Sequence, residues 1–181
     1  MTSATLEHDE FTLGGVPGED SLKYQLNVVA SSVLDAVSAS GGWLFDRVMA
    51  GWEVNVLLAE PGDIRPLSIV GARVFDLETA LRPAAADSRR PEALAVSSDM
   101  FARDLRISRE VVSALRRGRT EVTFWGAALP ATVDTATTVV EHRLTAAAHA
   151  FKSRALVMAS APAAATRTER FFAGGVRYSG P

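Results

Sequence analysis

Acidic and hydroxyl side chains follow three apolar, strand-like runs of this sequence. In chain order they are Glu60, Asp63, Asp76, Ser98 and Asp99. In open parallel sheets, ligands gather beyond the carboxyl ends of the strands, so these side chains are expected to share one edge of the sheet. Their oxygens suit Mg²⁺, which makes a Mg²⁺-dependent enzyme with an acidic pocket one hypothesis. The simpler interpretation, which we favour, needs no ligand: Asp63 and Asp99 cap helices, and the other acids are solvated.

The turn that follows residues 54–59 does not suit a phosphate group. It holds a single glycine, Gly62, between Glu60 and Asp63, and both carboxylates would repel an anion. Dinucleotide and P-loop fingerprints place several glycines in the turn between a strand and the next helix. We therefore predict no nucleotide and no other cofactor.

Side chains for nucleophilic or metal chemistry are sparse. The 181 residues include no cysteine and three histidines, at His8, His142 and His149. His142 and His149 are seven residues apart, whereas zinc ligands on one helix are usually three or four apart. Neither Ser97 nor Ser98 lies in a G-x-S-x-G elbow. These patterns predict no catalytic residue and no metal site.

Residues 101–118 carry the most motif-like pattern of the chain. Ala102 stands where the first helix of a two-helix DNA-binding unit needs a small residue, and Ile107 stands where the second helix would begin. The segment resembles a helix-turn-helix. Five of its arginines would suit phosphate contacts, namely Arg103, Arg106, Arg109, Arg116 and Arg117.

Two features of the same segment favour a different structure. Arg106 occupies the turn position where glycine is usual, and strand-like runs rather than a third helix flank the segment. A single amphipathic crossover helix with a solvated arginine face explains the pattern without DNA. We favour that helix and expect no nucleic-acid partner. A DNA-binding regulator that uses residues 99–119 is the alternative.

Strand-like runs alternate with helix-period segments between residues 41 and 161. The predicted strands are 54–59, 73–76, 93–97 and 120–125. The predicted helices are 22–38, 43–50, a short one with Pro66 in its first turn that stops at Gly71, 100–117 with a candidate break at Arg106, and 135–161. Gly41–Gly42 separates the first two. Short connections in a strand–helix–strand pattern imply a parallel sheet with right-handed crossovers. The predicted fold class is a three-layer α/β domain of about four parallel strands with helices on both faces.

This domain is predicted to span residues 21–162. Residues 1–20 are predicted to be a flexible acidic arm, residues 163–181 a flexible tail, and residues 82–91 a mobile loop between two prolines. Leu57, in the centre of a strand, and Phe151, on the apolar stripe of the last helix, are the predicted core residues.

Charge and hydropathy narrow the classes of function. The net charge of −2 provides no global field to attract nucleic acid or an anionic membrane. The first twenty residues lack the basic start and apolar stretch of a secretory signal, and no run approaches the ~20 apolar residues of a membrane span. We expect a cytoplasmic protein with no membrane partner. The leading hypothesis is a non-catalytic module that works through a protein partner, self-association or small-ligand sensing.

Overall fold

A seven-stranded mixed β-sheet forms the centre of the fold. The computed structural model describes residues 23–81, 90–127, 133, 138–163 and 166–174. The strands are β1 Gln25–Ser32, β2 Glu53–Glu60, β3 Arg73–Asp76, β4 Ala93–Ser97, β5 Glu121–Trp125, β6 Thr138–Arg143 and β7 Thr168–Gly174. The helices are α1 Val33–Met49, α2 Arg65–Ile69, α3 Leu77–Ala80, α4 Ser98–Arg103, α5 Leu105–Arg117 and α6 Ala146–Met158.

The strand order is β3-β2-β1-β4-β5-β7-β6. Strands β1 to β5 are parallel, whereas β7 runs antiparallel to both β5 and β6. The chain moves from β1 to β2 on one side, and β4 then joins β1 on the other side. The strand order therefore reverses between β1 and β4, and in open α/β sheets a crevice for ligands forms at the carboxyl ends of such strands.

Helices cover both faces of the sheet. Buried residues of α1, α2 and α6 pack on one face, and buried residues of α3, α4 and α5 pack on the other. The middle of β2 is buried on both faces, as expected of a central parallel strand. None of the helices in the described ranges is long and apolar enough to cross a membrane.

The predicted fold class is confirmed, because the protein is an α/β sheet with helices on both faces. The four predicted strands correspond to β2, β3, β4 and β5. The predicted number of about four strands is too small, since the chain adds β1, β6 and β7. One end of the sheet is therefore mixed rather than purely parallel.

The predicted helix over residues 22–38 is wrong in its first half. Residues 25–32 form β1, and the helix begins at Val33 because the Ser32 side chain accepts a hydrogen bond from Asp35 N at 3.2 Å. The predicted break at Gly41–Gly42 is also wrong, since α1 continues to Met49. These glycines allow close packing instead: a Cβ on Gly42 would lie 2.4 Å from Leu144 Cδ1.

The predicted helix over residues 135–161 is wrong at its start. Residues 138–143 form β6, and α6 begins after Thr145, whose hydroxyl accepts from Ala148 N at 3.1 Å. Phe151 is 43% exposed, so it is not the core residue that was predicted. Residues 168–174, which the sequence placed in a tail, form β7. The arm 1–20 and residues 82–89 of the predicted loop lie outside the described residues.

A buried ion pair joins β7 and α6 to the middle of α1. Lys152 Nζ lies 2.6 Å from Glu169 Oε1, and the two side chains are 3% and 1% exposed. Glu169 also accepts from Gly42 N at 2.9 Å and Trp43 N at 2.8 Å, while Lys152 donates to the Ser38 carbonyl at 2.7 Å. The pair thus supplies acceptors and a donor to the backbone of α1.

Candidate functional site

Hydroxyl groups and one carboxylate meet where the strand order reverses. Val29 of β1 pairs with Val96 of β4, so Ser31 and Ser98, each two residues further on, stand at the same end of neighbouring strands. Asp35 lies in the first turn of α1, directly after β1, and Trp125 ends β5. We call Ser31, Asp35, Ser98 and Trp125 the switch-point cluster.

The Asp35 carboxylate is held by three hydrogen bonds. Its Oδ2 accepts from Ser31 N at 3.1 Å and from Ser31 Oγ at 3.0 Å. Its Oδ1 accepts from Trp125 Nε1 at 2.9 Å. The N-terminus of a helix stabilises a nearby negative charge. The result is a half-buried, oriented carboxylate with hydroxyl neighbours.

Ser98 contributes a hydroxyl that has no partner in the described part of the chain. Its side chain is 7% exposed, and its Oγ makes no hydrogen bond there. A Cβ on Gly126 would lie 3.3 Å from this Oγ, and Gly126 has φ +128°, which side chains rarely adopt. Glycine at 126 therefore keeps open the space beside Ser98. Buried polar atoms nearly always find a partner, so this hydroxyl is a donor available to a ligand.

The donor set of the cluster does not fit a metal ion. It offers one carboxylate, whose two oxygens already accept hydrogen bonds, and no imidazole or thiolate. Across the described ranges, no group of three or more His, Cys, Asp or Glu side chains could hold a metal ion. The chemistry available here is proton transfer by a carboxylate and hydrogen-bond donation by hydroxyls.

Of the five candidate ligand residues predicted from the sequence, only Ser98 belongs to this cluster. Asp63 pairs with Arg65 at 2.6 Å, and Asp99 pairs with Arg103 at 2.9 Å. Asp76 caps α3 through Thr79 N, and Glu60 ends β2 with an exposed side chain.

Trp125 was placed at the end of a predicted strand but was not selected as a site residue, whereas Ser31 and Asp35 were missed because residues 25–32 were interpreted as helix. The spacing Ser32-x-x-Asp35, which marks a helix N-terminus, was the signal that could have located them.

The arginine-rich segment forms two helices, α4 and α5, that meet at Asp104. The favoured single crossover helix is therefore divided, and the break comes at Asp104 rather than at the candidate position Arg106. The Asp104 side chain caps α5 by accepting from Arg106 N at 2.8 Å, and the hydrogen bond from the Arg106 side chain lowers the pKa of Asp104. Arg106 also pairs with Glu78 at 2.7 Å, and Arg117 pairs with Glu110 at 2.9 Å.

Three of the five proposed phosphate-binding arginines thus have carboxylate partners, namely Arg103, Arg106 and Arg117. The positive charges of these three side chains are therefore balanced by carboxylates of the same chain.

A second polar group lies near the other end of α1. Asp46 Oδ2 lies 2.8 Å from His142 Nε2, and Asp46 Oδ1 accepts from Thr145 Oγ1 at 2.7 Å. Burial raises the pKa of Asp46, but the hydrogen bonds from Thr145 and His142 outweigh it, and the net pKa lies below the ordinary value. This carboxylate ties α1 to the loop that starts α6.

The lowered pKa of Asp46 makes its contribution to stability depend on pH. A carboxyl whose pKa is depressed by folding stabilises the protein above its unfolded pKa, about 3.9, and the effect is lost as pH falls through the folded value. We expect Asp46→Asn to lower the free energy of unfolding by roughly 1–3 kcal/mol at pH 7, as for hydrogen bonds to charged groups. The difference from the wild type should shrink below about pH 4. Urea titrations at pH 3, 4, 5 and 7 measure it, and a difference that stays constant down to pH 3 contradicts this interpretation.

Three solved structures share this fold. The A40926 pseudoaglycone deacetylase is 13% identical, with a TM-score of 0.57 over 88% of this chain and 99% of that chain. A deacetylase triple mutant from the teicoplanin biosynthetic pathway is 11% identical, with a TM-score of 0.58 over 87% of this chain and 100% of that one. A deacetylase–teicoplanin complex is 11% identical, with a TM-score of 0.53 over 84% and 98%. No protein-family model matches the chain, and no curated protein matches its sequence.

The likeness establishes the fold and corrects the predicted function. The three solved proteins named above are deacetylases. This finding contradicts the prediction of a non-catalytic module for protein interaction or ligand sensing. A protein partner or self-association stays a prediction.

Proposed function

We propose that this chain is a hydrolase that removes an acyl group from an amine, with the switch-point cluster as its active site. The observation that carries the proposal is the Asp35 carboxylate, oriented by Ser31 and Trp125 at the reversal point of a sheet whose fold is shared with deacetylases. Ligands of open α/β sheets bind at this place.

The residues suggest a metal-independent sequence of proton transfers. Asp35 takes a proton from water, and the water oxygen forms a bond to the carbonyl carbon of the amide. The Ser98 hydroxyl, which has no partner among the described residues, donates to the carbonyl oxygen as negative charge develops there. The C–N bond then breaks, and the nitrogen leaves with the proton held by Asp35. The products are the amine and the carboxylic acid of the acyl group, and at neutral pH the acid proton passes to the amine or to solvent.

The substrates to test first are N-acetylated amines, including the A40926 pseudoaglycone and teicoplanin. They are chosen because the solved structures with this fold are named for those compounds. An active preparation would release acetate and expose an amine in equal amounts.

Asp35→Asn is expected to lower the rate of acetate release about 10²–10⁴-fold, because the amide cannot accept the proton. Asn can still accept the hydrogen bond from Trp125 Nε1, so the fold should persist. The matched control is Asp99→Asn, which changes a carboxylate at the start of the neighbouring helix that pairs with Arg103 outside the cluster. The control should keep the wild-type rate, and addition of EDTA should leave that rate unchanged.

Two outcomes would refute the proposal. One is an Asp35→Asn variant that releases acetate as fast as the wild type. The other is a wild-type protein that releases no acyl group from any of these amides above the uncatalysed rate.

A further inference from the structure

A cavity of about 130 Å³ lies at the end of α1 that is opposite to the switch-point cluster. Trp43 and Arg47 of α1, Glu121 at the start of β5 and His142 of β6 are among its lining residues. Twelve residues of helix separate Asp35 from Arg47, or about 18 Å at 1.5 Å per residue. The cavity is therefore separate from the proposed active site.

Arg47 is held in this cavity by aromatic rings rather than by an acid. Its guanidinium carbon lies 4.5 Å from the centre of the Trp52 ring and 5.2 Å from that of Trp43. Trp52 stacks in turn on Tyr24 at 5.2 Å, and Trp43 contacts Phe171 at 4.9 Å. In the part of the chain that the structure describes, the Arg47 side chain makes no ion pair and no hydrogen bond, although its carbonyl accepts from Trp52 N at 3.1 Å. Its planar set of N–H donors is thus oriented and uncommitted, which suits a carboxylate.

Glu121 brings an opposite charge to the same cavity without neutralising Arg47. No ion pair joins the two side chains, nor does Glu121 pair with any other cation in the described ranges. His142, by contrast, is already bound through Nε2 to Asp46. The cavity is also lined by Glu141, whose carboxylate pairs with Arg170 at 3.2 Å. Arg47 and Glu121, which have no ion pair among the described residues, are complementary to a ligand that carries both charges.

We propose that this cavity binds a small zwitterion of the α-amino-acid class. The ligand carboxylate pairs with the Arg47 guanidinium, and the ligand ammonium donates to Glu121. A volume of about 130 Å³ is well below the ~300–1,000 Å³ of drug-sized pockets, so a ligand as small as glycine is favoured. Arg47 also lies in the last turn of α1, where a cation stabilises the helix. That role does not depend on a ligand.

Ligand binding can be measured by NMR on the whole chain, with the Arg47 Nε–H signal and the indole N–H signals of Trp43 and Trp52 as reporters. Glycine, acetate and methylamine serve as probes, since the last two each lack one of glycine's charges. We expect saturable shifts with glycine, and an affinity at least tenfold weaker with acetate or methylamine. The readout does not depend on hydrolytic activity, so its failure and that of the proposed function are distinguishable.

Substitutions of Arg47 and Glu121 test which charged group of the ligand each side chain binds. Arg47→Gln should abolish the shifts of the tryptophan signals with glycine, and Glu121→Gln should make glycine no better than acetate. The control Arg109→Gln changes an arginine of α5, on the opposite face of the sheet, and should bind glycine as the wild type does. The proposal is overturned if no probe gives saturable shifts, if acetate binds as well as glycine to the wild type, or if Arg47→Gln retains binding.

Discussion

Glu169→Gln is expected to lower the free energy of unfolding by about 3–5 kcal/mol, because it leaves the Lys152 ammonium buried without its counter-charge. Both side chains are almost completely buried, so water cannot replace the lost partner. Gly42 N and Trp43 N donate to different oxygens of Glu169, and glutamine offers one acceptor oxygen, so the variant also loses one of these two hydrogen bonds. Urea denaturation at neutral pH measures the effect.

The neighbouring surface pair provides the matched control. Glu141 and Arg170 join β6 to β7 at 3.2 Å, with side chains 58% and 70% exposed. Glu141→Gln should change stability by about 0–1 kcal/mol, as for exposed pairs. The double variant Lys152→Met, Glu169→Gln should recover part of the loss, because no unpaired charge stays buried. A Glu169→Gln variant as stable as Glu141→Gln would mean that the pair is hydrated.

Leu57→Ala should cost about 2–5 kcal/mol, the range of large-to-small changes in a core. Leu57 is completely buried in β2, where it pairs with Val29 of β1 on one side and Phe75 of β3 on the other. Helix α3 closes the sheet over this region, so the cavity left by the substitution has few ways to collapse. Chemical denaturation of the variant measures the loss.

Phe151→Ala is the comparison for Leu57→Ala. The Phe151 ring is 43% exposed and stacks on Phe45 with centroids 4.5 Å apart. Its loss should cost about 0.5–1.5 kcal/mol, the worth of an aromatic pair. A cost equal to that of Leu57→Ala would show that this face of α6 is covered in solution.

The sequence predicted the parallel half of the sheet well, for a physical reason. Strands β2, β4 and β5 are short, mostly apolar runs, and burial on both faces leaves each of them one polar residue inside, namely Asn55, Ser97 and Thr123. β2 and β4 are also followed by residues that favour the start of a helix, and α2 and α4 begin there. Local pattern and tertiary environment agree there, so the predicted and observed boundaries differ by at most one residue.

β1 was mistaken for helix because it carries polar residues inside the sheet. Gln25 and Asn27 are buried, with Asn27 Oδ1 accepting from Asn55 Nδ2 of β2 at 3.1 Å. Between Gln25 and Asn27 and beyond them, the apolar residues of this segment are three or four residues apart, as in a helix. A short run with this spacing fits a strand as well as a helix. The pairing that satisfies Asn27 is a tertiary contact between strands, which a local pattern does not contain.

The candidate site could not be predicted for the same reason. The reversal of strand order cannot be located unless β1 is recognised. Without β1, nothing in the sequence selects the Asp35 carboxylate as a site residue. The partners that orient Asp35 are Ser31, four residues away, and Trp125, ninety residues away. Only the folded sheet brings the indole N–H to that carboxylate.

The placement of β7 between β5 and β6 sets the order in which the molecule can be completed during synthesis. Within the described residues β6 has no neighbour except β7, which is made about thirty residues later. Glu169, the buried partner of Lys152 and of the α1 amides, lies on that same late strand. Domains generally form from the N-terminus as the chain emerges. While β7 is still inside the ribosome, the β1–β5 half can assemble, whereas β6 must wait and Lys152 has no counter-ion.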